Sequence, residues 1–371
     1  MQQTIYAAFA LLAALGAGDF AAVDESRETP TRFEYTQVHM GTRFRILLYA
    51  GSEGVANRAA TAAMDRIAAL DKALSDYKQD SELSLLGAAS PTAKPVPLSD
   101  DLWNVLVYSQ KLADRTEGAF DVTLGPYSRL WRRARRRKEL PPKDLLQKAG
   151  HSVGYKKLIL DHCRQTATLT SEKMRLDLGA IAKGYAADEA LIVLRDRGIE
   201  SALIDAAGDI VTTGPPPGKS GWKVTVANLS NAEAPTEKQG RVPQEHPEKS
   251  APNESATGSR LVIKDAAVAT SGDLYQHLEI DGRRYSHIID PFSGIGLAGQ
   301  TSVTIIAPDG MTADSLASAI SVLGVDKGLA LVRDMPGVAC RFTWIDSDGK
   351  TSVRQTETFQ PYMATSDPDE K

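Results

Sequence analysis

The chain has 371 residues and a formal net charge of −4 at pH 7, and 42% of its residues are hydrophobic. This length and composition allow a sizeable core in one large domain or two smaller ones. Because phosphate binding needs a basic face, the mild acidic excess argues against a nucleic-acid partner.

The N-terminal segment is apolar. Residues 4–18 carry no charge and are followed by small residues. This run is short for a bilayer span and is typical of the apolar part of a secretory signal, although the usual basic residues before it are missing. An ordinary apolar helix is the alternative. We expect residues 1–24 to be a signal peptide and the protein to be exported to the periplasm or cell envelope. No cysteine follows, so we expect no lipoprotein anchor.

Strand and helix patterns follow in turn. Residues 33–50 predict two strands around a turn at Gly41. Apolar positions at helical spacing predict a helix over 56–77 and another over 101–118, which Gly118 ends.

The basic run WRRARRRKEL, residues 131–140, is predicted to be a solvated loop or helix face. A contact with an acidic partner or a membrane surface is the alternative.

The later part of the chain has mainly strand patterns, and a helix is predicted from about Thr312. The predicted strands lie within residues 157–161, 167–171, 200–214, 260–272 and 301–307.

Residues 228–258 are rich in Pro, Glu, Ser, Asn and Lys. Such a segment buries too little apolar surface to offset its ordering entropy. We therefore expect a disordered insertion within a domain over 30–358, followed by a flexible tail over 359–371.

The two cysteines, Cys163 and Cys340, have no spacing typical of a zinc site. They either pair or lie buried as small side chains. We favour burial, because two cysteines do not make a disulfide framework.

Chemistry-bearing residues lie beside glycine turns. Asp314 and Ser318 are four residues apart at a predicted helix start, so they share one face. A carboxylate and a hydroxyl on one face suit a hard cation such as Mg²⁺. A helix-capping aspartate is the alternative.

The stretch RLDLGAIAKGYAADEA, residues 175–190, places Asp177 and Lys183 on either side of the Gly179–Ala180 turn. A glycine turn lets the backbone approach a ligand closely, and the following helix start with Lys183 would face an anion. A plain strand-to-helix turn with a surface lysine is the alternative.

His287 lies in YSHIIDP, where apolar neighbours indicate a strand edge, and Asp290–Pro291 is predicted to begin a turn. A structural or a catalytic histidine fits this setting.

Eight motifs together resemble the FAD:protein FMN transferase family, the ApbE type, in the family's order. The resemblance runs from about Phe33 to Val353. The motifs are MGTRFRI, LSDYKQDSELSLLG, GAFDVTLGP, LDLGAIAKGYAAD, AAGDIVTTG, AVATSGD, YSHIIDPFSG and TADSLASAISVLG.

The resemblance implies a single-domain α+β fold, with mixed or antiparallel sheets, flanking helices and an FAD cleft. It implies Mg²⁺ on the FAD pyrophosphate and attack by a Ser or Thr hydroxyl of a target flavoprotein. AMP would leave, and FMN would stay attached through a phosphoester. The implied targets are subunits of membrane redox complexes or exported domains.

By matching motifs, the resemblance also implies which residues of this sequence form the site. His287 is the implied general base. The implied metal ligands are the Ala180 main-chain oxygen, Asp314 and Ser318. The implied FAD contacts are Met40, Tyr77, Ala119, Phe120, Asp121, Asp177, Lys183 and Ile288.

Two positions depart from the family pattern. Ser318 stands where threonine is usual, but the hydroxyl is kept, and Ala207 stands where glycine is usual before Asp209. An FAD pyrophosphatase that releases FMN and AMP, and a flavin-binding protein without chemistry, remain the alternative functions.

Overall fold

The computed structural model describes residues 29–227, 229, 258–272, 277–280, 282–346 and 348–364. Its α-helices are α1 Glu53–Leu74, α2 Glu82–Ala88, α3 Asp100–Arg115, α4 Gly125–Arg137, α5 Lys143–Gly150, α6 Ala182–Asp196 and α7 Gly310–Val332.

The strands form a large sheet and several small ones. Their bounds are β1 Thr31–His39, β2 Thr42–Ala50, β3 Val96–Pro97, β4 Leu158–Asp161, β5 Thr166–Leu169, β6 Ser201–Ala206, β7 Asp209–Thr213, β8 Trp222–Ala227, β9 Gly258–Ile263, β10 Ala267–Gly272, β11 His277–Ile280, β12 Arg283–Ile289, β13 Gly296–Ala298, β14 Thr301–Ala307, β15 Ala339–Ile345 and β16 Thr351–Gln355.

The central sheet has eight strands in the order β1-β2-β6-β7-β10-β14-β15-β16. Every neighbouring pair in it is antiparallel. Together with the helices, this arrangement confirms the α+β class expected from the sequence.

Strand β2 shows why the central sheet is covered on both faces. Phe44, Ile46 and Leu48 are fully buried in the main hydrophobic core, which also contains residues of α1, α6 and α7. Leu47 points the other way and packs with Trp222 in a second core. Because side chains alternate along a strand, a run that is apolar on both faces needs both faces covered.

Helices α1, α6 and α7 pack side by side on the first face of the sheet. Alanines at helical spacing, including Ala59, Ala63, Ala186 and Ala190, are buried in α1 and α6. Small side chains let two helix backbones approach closely, so these residues bring α6 near both of its neighbours.

The antiparallel pair β8 and β9 and a short 3₁₀ helix, Glu357–Tyr362, cover the second face of the sheet. Phe359 is buried there, and Met363 pairs with Leu261 of β9. Packed chain therefore extends through residues that the sequence assigned to a flexible tail beginning at 359.

A third, smaller core joins α4 and α5 to the β11-β12-β13 sheet. The indole N–H of Trp131 donates to the Gly294 carbonyl at 2.8 Å, and its ring contacts Tyr285. The basic run is therefore part of an anchored helix, whose exposed side carries most of its arginines.

The other predicted elements agree with the structure in kind and differ at their ends. The turn at Gly41, the paired strands β4 and β5, and β6 with β7 are confirmed. The second predicted helix, α3, ends at Arg115, before Gly118. The predicted signal peptide and nearly all of the predicted insertion lie outside the described residues.

Two interpretations were wrong. Cys163 is exposed, whereas Cys340 is buried as expected, and both are free thiols. His287 lies on β12, the middle strand of its three-stranded sheet, and not at an edge. Local apolar neighbours do not reveal how many strands lie beside a given strand.

Helix α7 is long and apolar enough to span a membrane, the one such helix among the described residues. Leu316, Ala317 and Ile320 of this helix are fully buried in the main core. A core helix of a globular protein passes the same test of length and composition, so this feature is weak support for a membrane span.

The start of α7 crosses α6 at two glycines. A Cβ atom at Gly310 would lie 2.8 Å from the Gly184 oxygen and 2.7 Å from a Val211 methyl, and a Cβ at Gly184 would overlap the Gly310 carbonyl. The Asp188 carboxylate accepts the Gly310 and Met311 N–H groups at 2.7 and 2.8 Å. These contacts fix the relative position of the two helices.

We expect Gly184→Ala to lower the unfolding free energy by about 2 kcal/mol or more, because the added methyl pushes against backbone that cannot yield. Gly51→Ala is the matched control, since a Cβ there meets no atom within 4 Å. Urea unfolding followed by circular dichroism gives both values. Equal stability of the two variants would contradict the close crossing.

The environment of the Asp188 carboxyl group makes us expect that the stability of the fold depends on pH. Burial raises the pKa of this carboxyl group to about 7, although the two N–H groups act in the opposite direction. The folded state then keeps this proton to a higher pH than the unfolded chain does, so the contribution to stability falls as pH rises from about 4 to 7.

We therefore expect wild type to lose on the order of 2 kcal/mol relative to Asp188→Asn between pH 5 and pH 7. Denaturant titrations at each pH measure the difference. Asp196→Asn, which changes an exposed carboxylate at the end of α6, serves as the control. Parallel pH curves for wild type and Asp188→Asn would rule out the buried titration.

Candidate active site

The turn before α6 brings two of the sequence motifs together. The Asp177 N–H donates to the Val122 carbonyl at 2.8 Å, and the Gly125 N–H donates to the Arg175 carbonyl. The Asp177 carboxylate accepts the Gly179 N–H at 2.9 Å. The segment that precedes α4 therefore lies directly beside the start of α6.

Lys183, in the first turn of α6, lies between two carboxylates from other elements. Its Nζ is 2.6 Å from Asp209 Oδ2, at the start of β7, and 3.2 Å from Asp314 Oδ2, on α7. The Gly184 N–H also donates to Asp314 Oδ2, at 3.3 Å. The close crossing of α6 and α7 makes this arrangement possible.

Burial and ion pairing act against each other in this cluster. Burial would lower the pKa of Lys183, but the charges of Asp209 and Asp314 raise that pKa above its usual value. Burial raises the pKa of Asp209, although the charge of Lys183 acts in the opposite direction. With both carboxylates ionised, the cluster has one cation and two anions, so a further cation would be attracted to it.

Two hydroxyl groups suited to a hard cation lie close to each other near Asp314. Ser318 lies one turn further along α7, and its hydroxyl oxygen is 3.1 Å from that of Ser271 on β10. Ala180 lies in the turn before α6. The family resemblance implies that its main-chain oxygen is a metal ligand. The described residues contain no group of three or more His, Cys, Asp or Glu that could hold a metal. A site here would therefore rely on hydroxyl and carbonyl oxygens, which Mg²⁺ accepts.

The structure assigns the helix-capping role to a different aspartate. Asp309 is the N-cap of α7, and its carboxylate accepts the Thr312 N–H at 2.7 Å. Asp314 is almost fully buried and contacts Lys183. The capping alternative for Asp314 was therefore wrong, and its place on one helix with Ser318 is confirmed.

A second cluster lies on the other side of the Asp177 turn. Arg132 of α4 pairs with Asp76, and its Nη2 is 3.5 Å from Asp177 Oδ2. Its guanidinium carbon lies 3.9 Å from the ring centroid of Tyr77. Two of the residues assigned to FAD binding, Tyr77 and Asp177, are thus joined through an arginine that the sequence left in a solvated run.

The GAFD segment contributes a buried turn. Ala119, Phe120 and Asp121 are all buried. One Asp121 oxygen accepts both the Thr123 N–H, at 2.7 Å, and the Thr123 hydroxyl, at 2.6 Å. One oxygen of the Asp121 side chain therefore holds the turn itself.

The remaining assigned residues come from more distant elements. Met40 is half-buried, at a positive φ of 50° in the β1–β2 turn. Ile288 is buried next to the half-buried His287 on β12, and β12 contacts α7, the helix of Asp314 and Ser318. After His287, the Asp290 carboxylate accepts the Phe292 N–H and the Ser293 hydroxyl, which confirms the predicted turn.

The sequence did not assign site roles to Asp209, Arg132 and Ser271. Asp209 follows the left-handed Ala207–Gly208 turn, with φ values of 56° and 99°, and this turn was the available signal. Within the basic run, nothing in the sequence separates Arg132 from its neighbours.

Known proteins resemble this chain in sequence and in fold. A sequence model of the ApbE family matches residues 40–342. A relative from Haemophilus influenzae, named FAD:protein FMN transferase, is 31% identical over 69% of this chain and 70% of its own length. Another of the same name from Treponema pallidum is 31% identical over 76% of this chain and 75% of its own.

The solved structure titled flavin transferase ApbE from Vibrio cholerae has the same fold. Its TM-score is 0.76 at 25% identity, and the match covers 90% of this chain and all of the other. Sequence and fold thus agree over most of the molecule, and the chain belongs to the ApbE family.

Proposed function

We propose that this enzyme transfers the FMN part of FAD to a Ser or Thr hydroxyl of a target flavoprotein, with Mg²⁺ and with release of AMP. Its relatives carry the name FAD:protein FMN transferase. The observation that carries the proposal is the contact of Lys183 with two buried carboxylates beside the Ser271–Ser318 hydroxyl pair.

Phosphoryl-type transfer depends mainly on positioning and on neutralising charge, and this cluster fits both needs. Lys183 supplies a half-buried positive charge at the start of α6, where helix N–H groups also favour an anion. Asp314, Ser318 and the Ala180 main-chain oxygen would hold Mg²⁺. When bound, Mg²⁺ would neutralise pyrophosphate charge and polarise the phosphorus.

The proposed reaction balances as a substitution at phosphorus. The acceptor hydroxyl oxygen forms a bond to the FMN-side phosphorus, and the bond from that phosphorus to the oxygen bridging to AMP breaks. His287 would take the hydroxyl proton, as a neutral imidazole does in general base catalysis. AMP leaves with the bridging oxygen, so no oxidant or reductant is needed.

The proposed FAD contacts extend from the metal cluster along the Asp177 turn. Lys183 would meet phosphate charge, while Asp177 and Tyr77 would meet the ring or sugar groups at the other side. Met40, Ile288 and the Ala119–Asp121 segment would supply further contacts. Only one turn of chain separates Asp177 from Lys183. This short distance along the chain supports one site that binds both the phosphate part of FAD and its ring or sugar groups.

The transfer is tested with purified protein, FAD, Mg²⁺ and a candidate acceptor domain, by weighing the acceptor in an intact-mass measurement. We expect an acceptor mass gain equal to FMN and release of AMP. EDTA or Asp314→Ala should abolish the gain, because the metal loses its carboxylate. Asp326→Ala, at an exposed carboxylate of the same helix, is the control and should transfer FMN like wild type.

The other outcomes separate the alternative functions. Free FMN and AMP without an acceptor adduct would show a pyrophosphatase. FAD that stays bound and unchanged would show a flavin-binding protein without chemistry. Full transfer by Asp314→Ala in the presence of EDTA would contradict the metal site.

We further propose that the protein acts on the exported side of the cell, on a subunit of a membrane redox complex or an exported domain. The apolar, uncharged residues 4–18 support this proposal. In a fractionated bacterial host that expresses the full chain, we expect protein cleaved near residue 24 outside the cytoplasm. Uncleaved chain that stays in the cytoplasm would contradict export.

A further inference from the structure

The Tyr77 ring is largely exposed and yet held in place. It lies in the loop between α1 and α2, and 74% of the residue is accessible to solvent. The guanidinium of Arg132 lies over one face of the ring, 3.9 Å from its centroid. A cation over an aromatic face is attracted by the ring's negative quadrupole, so the ring has a preferred orientation.

The same guanidinium joins two carboxylates. It pairs with Asp76, the neighbour of Tyr77, and approaches Asp177 to 3.5 Å. Burial and the charge of Asp177 raise the pKa of Asp76, whereas Arg132 lowers it. Without the arginine, two half-buried carboxylates would face each other without a counter-charge, and the Tyr77 loop would lose its link to the Asp177 turn.

Arg132 lies on α4, a helix that packs against the third core. Trp131 and Ala134, on either side of it in α4, are buried in the third core. The Trp131 indole is hydrogen-bonded to the turn that follows β12. Arg133, next in the chain, is exposed. Of these two arginines, Arg132 is thus the one that the helix directs toward Asp177.

We propose that Arg132 is a positioning residue for FAD: it fixes the Tyr77 ring and the Asp177 carboxylate relative to each other before FAD binds. This inference rests on the proposed function, in which Tyr77 and Asp177 contact FAD. With both carboxylates ionised, the guanidinium and the two carboxylates that it faces together carry one net negative charge. This side of the site suits a planar ring with N–H donors, whereas the pyrophosphate of FAD would bind at Lys183.

The effect should appear in binding and not in the chemical step. When the Tyr77 ring is already held in its bound orientation, the entropy cost of binding FAD is lower. A cation–π contact at a partly exposed site corresponds to a change of about tenfold in affinity. We therefore expect Arg132→Met to raise the Kd and KM for FAD about tenfold and to leave kcat within about twofold of wild type.

The experiment uses the full protein with Arg132→Met, Arg132→Lys and the control Arg133→Met. FAD affinity is measured by flavin fluorescence, and kcat and KM by FMN transfer to the acceptor. Arg133→Met should match wild type. Arg132→Lys keeps the charge but cannot stack as a plane, so its affinity should lie between those of wild type and Arg132→Met. Wild-type affinity in Arg132→Met would overturn the inference.

A double-mutant cycle with Tyr77→Leu separates positioning from a general loss of stability. Tyr77 is exposed, so its replacement should leave the fold intact. If Arg132 acts through the ring, the double variant should bind FAD about as weakly as the weaker single variant. Losses that simply add would overturn the inference. Wild type that binds FAD but transfers no FMN would instead overturn the proposed function and leave this binding test intact.

Discussion

Lys183 lies 2.6 Å from Asp209 and 3.2 Å from Asp314, and both carboxylates are almost fully buried. Removing three charges from water is costly, and the cost is offset only where the charges meet at short range. The three residues come from α6, β7 and α7, so their meeting requires those elements to pack in one way. The central sheet and its helix layer can be understood as the scaffold that keeps this contact in place.

The scaffold achieves this with small residues and with one half-buried acid, Asp188. Glycines at the crossing of α6 and α7 allow the backbones to touch, and alanines along α6 allow α1 to approach from the other side. The Asp188 carboxylate then holds the first N–H groups of α7. A larger side chain at the crossing would move Asp314 away from Lys183, so local size and local charge act together.

The site has two sides with different chemistry, separated by the turn that begins at Asp177. The side at Lys183 offers a half-buried cation, buried carboxylates and hydroxyl oxygens, which suit a metal and phosphate charge. The side at Arg132 offers an aromatic face and carboxylates, which suit a planar ring with N–H donors. A dinucleotide has both kinds of group, so the arrangement fits the substrate named for the relatives of this chain.

The sequence by itself determined the family, the α+β class and the main local elements. Gly41, the Asp290 turn and the helical spacing of Asp314 and Ser318 depend on neighbours in the chain, so local patterns were sufficient to predict them. Only the tertiary structure decided which distant groups meet. Asp209 and Ser271 lie at the site because their strands pack beside α6 and α7. Arg132 lies there because Trp131 anchors its helix. The exposure of Cys163 and the central place of β12 were also settled by packing, since burial and strand neighbours depend on the whole chain.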